Sequence, residues 1–363
     1  FFSTTKMELR RLYVDVIIRQ LTALQPTHTD TVYLGGGTPS VIERDDLQRL
    51  LEECRKMLDG GGEFTVECNP DDVTDELAET LQRCGVNRVS LGIQTFNDER
   101  LKLINRRHSA DKAREAVNLL RARNINNVSI DLMFGFPAET DEEWIAEIEE
   151  AIRIKPNHIS AYCLTVEEGT VLHKRLSDGS LPPLPDEDTL ERQYYTLCQK
   201  LKSAGYEHYE ISNFCLPGFH SRHNAGYWQD NPYLALGAGA HGLEIIQQPS
   251  PTRKRYWNIC DINEFIRRVN EGISVIDGSE DIDSATHYND LITTAMRTNQ
   301  GLSAEHVRKH CSPTLADYFT STAKRLAPKG LVEIISDKND TIVRLSPNKL
   351  FVSDGILAEL IFS

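Results

Sequence analysis

The chain has 363 residues, of which 40% are hydrophobic, and this is enough to bury the core of one large domain and a smaller one. Its 54 acidic side chains outnumber its 40 basic ones, and the net charge of −14 argues against a broad nucleic-acid-binding surface. No apolar run approaches the roughly 20 residues that a membrane span needs, so we expect no transmembrane segment, and no signal peptide is visible.

Strands and helices alternate along the first two thirds of the sequence. Short apolar runs predict strands over residues 32–34, 63–67, 88–93, 128–133, 158–164 and 206–211. Helical spacing and capping residues predict helices over residues 6–24, 45–58, 97–105 and 109–123, after Thr74, after the capping box at residues 140–143, and around residues 190–201. Such alternation is typical of parallel strands with crossover helices. We therefore predict an α/β fold, a partial (βα)6 TIM-like barrel, with an open doubly wound sheet as the alternative.

The pattern changes after residue 242. Residues 247–251, rich in Pro and Ser, are typical of a linker. Helices are predicted near residues 262–270, 284–297, 303–309 and 315–326, followed by a hairpin of residues 331–335 and 341–345 around residues 338–340. This order predicts a C-terminal helical, winged-helix-like domain, and hence domains 1–242 and 243–363. The mixed charge of the segment argues against DNA binding.

Polar residues and glycines follow the predicted strands. The carboxyl ends of parallel strands share one rim, where ligands bind. The residues predicted at this rim are Gly36, Gly37, Thr38, Glu67, Gln94, Arg106 and Asp131. Bare backbone, carboxylates, an amide and a guanidinium match a ligand with an ammonium, a carboxylate and a hydroxylated sugar, such as S-adenosylmethionine. Most of these residues also have a purely structural interpretation, but Asp131 lies in an apolar strand, where a carboxylate needs a partner.

The ordered motifs GGGTPS, ECNP, SLGIQTFN, NRRH and DLMFGFP resemble those of the radical S-adenosylmethionine superfamily, and most of all its oxygen-independent coproporphyrinogen III oxidase branch. The resemblance extends over essentially the whole chain. It implies that the seven rim residues bind S-adenosylmethionine, with Arg106 paired to the methionyl carboxylate and Asp131 to the ribose hydroxyls. It also implies a [4Fe–4S] cluster, whose C-x-x-x-C-x-x-C ligands are expected just upstream of Phe1. The eight cysteines of the chain are scattered, predict no metal or cluster site by their spacing, and indicate a reducing compartment.

Two features separate the subgroups of this branch. Phe1 stands where the decarboxylating oxidases have a fourth cysteine, and HNAGYW at residues 223–228 is similar to the HNxxYW motif of HemW-type haem chaperones. The resemblance implies a haem-binding segment, with His223, Asn224, Tyr227 and Trp228 as candidates. An imidazole can ligate haem iron and aromatic rings can cover a porphyrin. The alternative is that the aromatic residues serve packing alone.

The function predicted from these features is a cytoplasmic haem chaperone that binds haem and transfers it to a recipient protein at the membrane face. The alternative is an oxygen-independent coproporphyrinogen III oxidase, which carries out the radical oxidative decarboxylation of coproporphyrinogen III to protoporphyrinogen IX. A radical enzyme acting on another substrate is a third interpretation, which the HNxxYW-like segment disfavours.

Overall fold

The computed structural model of the protein describes residues 7–24, 28–246, 252–336 and 340–363. Two compact units can be distinguished, the first within Phe1–Val14, Leu24–His208 and Ser212–Ser221, and the second within Asp15–Ala23, Tyr209–Ile211 and Arg222–Ser363. The predicted division into domains 1–242 and 243–363 stays a prediction. Phe1, the predicted linker at residues 247–251 and most of the hairpin tip at residues 338–340 lie outside the described residues.

The main sheet confirms the α/β partial barrel. Its described strands are β1 (Thr29–Leu34), β2 (Leu58–Cys68), β3 (Arg88–Gln94), β4 (Asn127–Phe134), β5 (His158–Cys163), β6 (Glu207–Glu210) and β7 (Asn213–Cys215). Their order is β1-β2-β3-β4-β5-β7-β6, and β1 to β5 are parallel. One detail differs from the expectation of parallel strands throughout, because β7 pairs with β5 in the antiparallel direction. Three residues are too few to show a strand pattern in the sequence.

Helices alternate with most of these strands, and the first helix precedes β1. They are α1 (Met7–Ala23), α2 (Arg44–Met57), α3 (Asp75–Arg83), α4 (Asp98–Leu103), α5 (Ala110–Ala122), α6 (Asp141–Ile154), α7 (Val171–Ser177) and α8 (Glu187–Ser203). The predicted caps are confirmed, since the Thr74 hydroxyl accepts from the Leu77 N–H at 3.2 Å and Thr140 forms a full capping box with Glu143. The sequence did not predict α7, which has no buried residue and therefore no apolar period.

The two faces of the main sheet differ in chemistry. On one face, neighbouring strands place Val66, Val89 and Val128 side by side, and all three are fully buried. On the other face the register partners are polar, and they form the pairs Thr65–Arg88, Glu67–Ser90, Ser90–Ser129, Ser129–His158 and Asp131–Ser160. Side chains two residues apart share a face. Glu67 and Asp131 therefore point to the same, polar side of the sheet.

The second unit is built from short elements. Its described elements after Ser221 are α9 (Arg222–Trp228), β8 (His241–Ile246), β9 (Thr252–Asn258), α10 (Ile262–Glu271), β10 (Ile276–Ile282), α11 (Ser284–Thr294), β11 (Leu302–Ser303), α12 (Ala304–His310), α13 (Pro313–Leu326), β12 (Val332–Ser336), β13 (Thr341–Leu345) and α14 (Ser353–Leu360). The antiparallel hairpin of β12 and β13, with β11 beside β13, confirms the wing of the predicted helical module.

A second sheet, β10-β9-β8, was not predicted from the sequence. Both of its strand pairs are antiparallel. In β9, charged side chains do not alternate regularly with apolar ones, and β10 is exposed at most positions. Neither strand therefore shows the two-residue hydrophobic period that predicts a strand. Within the described part of the chain, no helix is both long enough and apolar enough to cross a lipid bilayer.

Candidate functional site

Two carboxylates, those of Glu67 and Asp131, lie on the polar face of the main sheet. The Tyr33 hydroxyl donates to Glu67 Oε1 at 2.7 Å and fixes this carboxylate near the end of β2. Burial and, second, the negative charge of Glu67 raise the pKa of Asp131 to about 7, although Arg88 and Arg106 oppose the rise. Asp131 nevertheless keeps part of its surface accessible. Both carboxylates are therefore partly accessible on the same side of the sheet.

The glycine turn after β1 lies beside Glu67. A Cβ atom on Gly35 would come within 2.7 Å of Tyr33 Cε1 and 2.9 Å of the Glu67 carboxylate, so a larger residue there would force one of these side chains to shift. Gly36 has a φ of +94°, which favours glycine for a different reason. A Cβ on Gly36 or Gly37 would meet no atom within 4 Å. The backbone of these two residues is therefore open to a ligand.

Thr38 follows the turn in the extended conformation that Pro39 imposes. Its φ and ψ are −125° and 93°. Its carbonyl accepts a hydrogen bond from the Val41 N–H at 3.1 Å, which closes a short helical turn. This is the conformation that a residue before proline prefers, and the proposed contact of Thr38 with a ligand stays a prediction.

Gln94 ends β3 in an unusual backbone conformation. Its φ is +70°, a backbone region that residues other than Gly, Asn and Asp seldom occupy. The register between β3 and β4 shifts just before it, between Leu91 and Gln94. A Cβ atom on Gly92 would lie 3.0 Å from Gln94 Nε2 and 3.9 Å from both terminal nitrogens of Arg106. A side chain at residue 92 would therefore crowd the Gln94 amide and contact the Arg106 guanidinium.

Arg106 is held at the same rim after α4. One terminal nitrogen of Arg106 donates to Asn69 Oδ1 at 3.0 Å, and its backbone N–H donates to the Leu101 carbonyl at 2.8 Å. Burial lowers the pKa of Arg106, while the charges of Asp131 and Asp71 oppose this effect. A half-buried guanidinium that uses one nitrogen on a neutral amide can still form a fork with a carboxylate.

The structure thus brings Glu67, Gln94, Arg106 and Asp131 to one rim, with Gly36 and Gly37 open beside Glu67. Three further residues shape this rim and were not predicted from the sequence, namely Tyr33, Gly35 and Asn69. Gly35 and Asn69 belong to motifs already singled out, so their position beside the named residues was the available signal. The contact between Tyr33 and Glu67 joins two strands and has no local sequence signal.

The strain at Gln94 leads to a stability prediction. Gln94→Gly is expected to have a free energy of unfolding about 1 kcal/mol above that of Gln94→Ala, because alanine carries a Cβ penalty at positive φ. Urea denaturation of both variants measures the difference. The φ of Thr95 is not positive, so Thr95→Gly should have a lower free energy of unfolding than Thr95→Ala. Equal stability of the two Gln94 variants would contradict the strain.

In the second unit, α9 carries the HNAGYW segment. His223 Nε2 and the Tyr227 hydroxyl lie 2.9 Å apart, one turn of helix from each other. The Tyr227 ring packs edge-on against Tyr233 with centroids 4.7 Å apart, and Trp228 packs edge-on against Tyr209 at 5.7 Å. Tyr227 is 40% exposed although it is aromatic, and His223 and Asn224 are partly exposed. The four candidates therefore present an accessible imidazole beside aromatic rings.

Comparisons with known proteins identify the family of this chain. The family model of the radical SAM superfamily matches residues 2–151. The protein named heme chaperone HemW of Lactococcus lactis is 40% identical over 270 residues, which cover 72% of this chain and 69% of that protein. The chain belongs to the HemW family. The protein named heme chaperone HemW of Bacillus subtilis is also similar to this chain, with 32% identity over 83% of this chain and 78% of that protein.

A solved structure supports the fold of this HemW-family chain. The coproporphyrinogen III oxidase of Escherichia coli, described as a radical SAM enzyme, superposes with a TM-score of 0.81 over 99% of this chain and 85% of that one. The two sequences are 18% identical. At this level of identity, the likeness establishes the partial barrel and the order of the elements.

Proposed function

We propose that this chain binds haem and transfers it to a recipient protein. The observation that carries the proposal is the 40% identity, over most of both chains, to a protein named heme chaperone. The accessible imidazole and aromatic rings of α9 support it, because they offer an iron ligand and apolar faces for a porphyrin. The cytoplasm as the compartment, and a recipient at the membrane face, belong to the same proposal.

The rim of the main sheet would hold S-adenosylmethionine. The chemistry of its residues fits this ligand, since the open backbone of Gly36 and Gly37 and the Glu67 carboxylate suit an ammonium group. Arg106 would pair with the methionyl carboxylate, and Asp131, when ionised, would accept hydrogen bonds from the ribose hydroxyls. Bound S-adenosylmethionine supplies an electrophilic sulfonium, the source of a 5′-deoxyadenosyl radical in this superfamily. Thr38 and Gln94 complete the proposed contacts.

The resemblance to the radical S-adenosylmethionine superfamily also implies a [4Fe–4S] cluster. The 363 residues contain no C-x-x-x-C-x-x-C run, and its expected place upstream of Phe1 stays a prediction. The residues of this chain therefore supply no ligand set for a [4Fe–4S] cluster, and the proposal assigns them none.

His223 is the proposed axial ligand of the haem iron. Ligation through Nε2 would replace its contact with the Tyr227 hydroxyl, at a cost of roughly 1 kcal/mol. An Fe–imidazole bond outweighs one such hydrogen bond, so the contact does not prevent binding. Tyr227→Phe removes the competing hydroxyl but keeps the aromatic face.

Titration with haem tests this assignment. His223→Ala is expected to weaken haem binding by about tenfold or more and to shift the Soret absorption, because the imidazole is lost. Tyr227→Phe should bind haem at least as tightly as the unaltered chain. His28→Ala, which removes an exposed histidine near Asp59, is the matched control and should change nothing. Unchanged binding and spectrum in His223→Ala would remove His223 as the ligand.

A second experiment separates the proposed function from the oxidase alternative. A longer chain that includes the expected upstream cysteines would be given coproporphyrinogen III, S-adenosylmethionine and a reductant without oxygen, and haem with an apo-haemoprotein acceptor in parallel. Transfer of haem without loss of carbon dioxide is expected. Formation of protoporphyrinogen IX would overturn the chaperone proposal, and failure to take up haem would do the same.

A further inference from the structure

Three potential metal ligands of different chemistry meet at the end of the main sheet, away from the rim residues named above. Glu207 begins β6, Cys215 ends β7, and His220 follows five residues later. One ligand atom from each of them lies within 4.8 Å of the other two. The His220 Nε2 atom is 3.3 Å from Glu207 Oε2. Cys215 is fully buried, whereas Glu207 and His220 are partly exposed, so the cluster opens to solvent on one side.

The loop between the cysteine and the histidine is shaped to bring them together. Gly218 has a φ of +86°, and the Phe219 N–H donates to the Leu216 carbonyl at 3.0 Å. With Pro217 before the glycine, this is the pattern of a type II turn. The chain therefore reverses between Cys215 and His220. The Leu216 N–H, bonded to the Asn157 carbonyl at 2.9 Å, ties the start of the turn to the residue that precedes β5.

The Cys215 sulfur is placed as a metal ligand shielded from water. Cys215 is fully buried, and its sulfur lies within 4.8 Å of a ligand atom of Glu207 and one of His220. A bound cation deprotonates a coordinating thiol outright, so the sulfur would bind as a thiolate.

We propose that Glu207, Cys215 and His220 form a binding site for a divalent zinc-type ion. A sulfur, an imidazole nitrogen and a carboxylate oxygen suit zinc, and three protein ligands leave a fourth, tetrahedral position for water. The thiolate and the carboxylate would neutralise the two charges of the ion. Because the ligands come from β6, β7 and the following loop, the ion would fasten the last strands of the sheet. The C-x4-H spacing from Cys215 to His220, with a glutamate upstream of both, matches no common zinc motif, so the sequence did not predict this site.

Binding of Co²⁺ and Zn²⁺ to the chelator-treated 363-residue chain tests the proposal. We expect about one ion per chain, a thiolate-to-cobalt charge-transfer band in the near ultraviolet, and displacement of Co²⁺ by Zn²⁺. Cys215→Ser should abolish the band. Glu207→Gln and His220→Gln should each weaken Co²⁺ binding by about tenfold or more. Excess Zn²⁺ should raise the melting temperature of the unaltered chain and not that of His220→Gln.

Two control variants keep the test specific to this cluster. Cys260→Ser removes an exposed cysteine, and His28→Gln removes the histidine of an imidazole–carboxylate pair that has a 3.6 Å separation from Asp59. Both should bind Co²⁺ like the unaltered chain. Glu207 and His220 lie at the surface, so their variants are informative even if Cys215→Ser does not fold. The proposal is overturned if the unaltered chain shows no thiolate band, if the band survives in Cys215→Ser, or if the controls lose it equally. Haem and S-adenosylmethionine are absent from the assay, so its result is independent of the proposed function.

Discussion

Asp131→Asn is expected to make the ligand-free protein more stable at pH 8. The pKa of Asp131 is about 7 in the folded protein, against an ordinary value of 3.8, with burial as the main cause. When folding raises the pKa of a carboxyl group in this way, the free energy of unfolding of the protein falls as the pH rises from about 4 to about 7. The protein stays less stable above pH 7. This difference in pKa corresponds to at most roughly 4 kcal/mol. Asparagine keeps the shape of the side chain and carries no charge, so it removes this cost.

Urea denaturation between pH 4 and pH 8 measures this effect. The free energies of unfolding of Asp131→Asn and the unaltered chain should agree near pH 4 and diverge as the pH rises, with the variant higher. Asp75→Asn is the matched control with the opposite sign, because the bond to Arg123 lowers the pKa of the exposed Asp75. That variant should be less stable above pH 4. Equal stability of Asp131→Asn and the unaltered chain at pH 8 would contradict the raised pKa.

The same substitution should weaken binding of S-adenosylmethionine. A lost hydrogen bond to a charged acceptor costs roughly 1.5–3 kcal/mol, which is about a tenfold to hundredfold loss of affinity. In the unaltered chain the affinity should fall as the pH drops below about 7, because Asp131 becomes protonated. Asp131→Asn should bind weakly at every pH. Calorimetric titration at pH 6 and pH 8 checks both statements, and an unchanged affinity at pH 8 would exclude Asp131 from the binding site.

The second prediction concerns the three glycines of the turn after β1. Substitutions at these neighbouring positions should differ in their effects on stability and on the affinity for S-adenosylmethionine. Gly37→Ala should leave the free energy of unfolding within about 0.5 kcal/mol, since its Cβ meets no protein atom. It should nevertheless lower the affinity for S-adenosylmethionine by about tenfold or more, because the methyl group would occupy space proposed for the ligand. Gly35→Ala should instead destabilise the protein by about 1–3 kcal/mol, since its Cβ would collide with Tyr33 and Glu67.

Gly36→Ala completes the series. It should cost about 1–2 kcal/mol of stability through its positive φ, without any collision. Chemical denaturation and calorimetric titration of the three variants give the pattern directly. If Gly37→Ala bound S-adenosylmethionine as tightly as the unaltered chain, the turn would be a connection between strand and helix and not a ligand site.

The sequence predicted the parts of this molecule that depend on local pattern. The caps at Thr74 and Thr140, the alternation of β1 to β5 with helices, and the hairpin of β12 and β13 each follow from residues close together in the chain. The convergence of Glu67 and Asp131 also followed, because parallel strands share a rim.

Other features depend on contacts that no local pattern reveals. The crowding around residue 35 involves Glu67 on the neighbouring strand, and the positive φ of Gln94 accompanies the break in register after Leu91. The sheet of β8 to β10 has too few buried side chains to show a period. The cluster around Cys215 depends on β7 pairing back onto β5, a reversal that the expectation of parallel strands did not include.

Arg88 lies at the amino-terminal end of β3, opposite the rim, and only 2% of its surface is exposed. Burial, followed by the charge of Arg88, lowers the pKa of the neighbouring His158, whose Nδ1 lies 2.8 Å from the Ser129 hydroxyl. This imidazole is therefore neutral throughout the physiological range. A fall in pH through about 7 would therefore change the charge at Asp131 and leave His158 neutral.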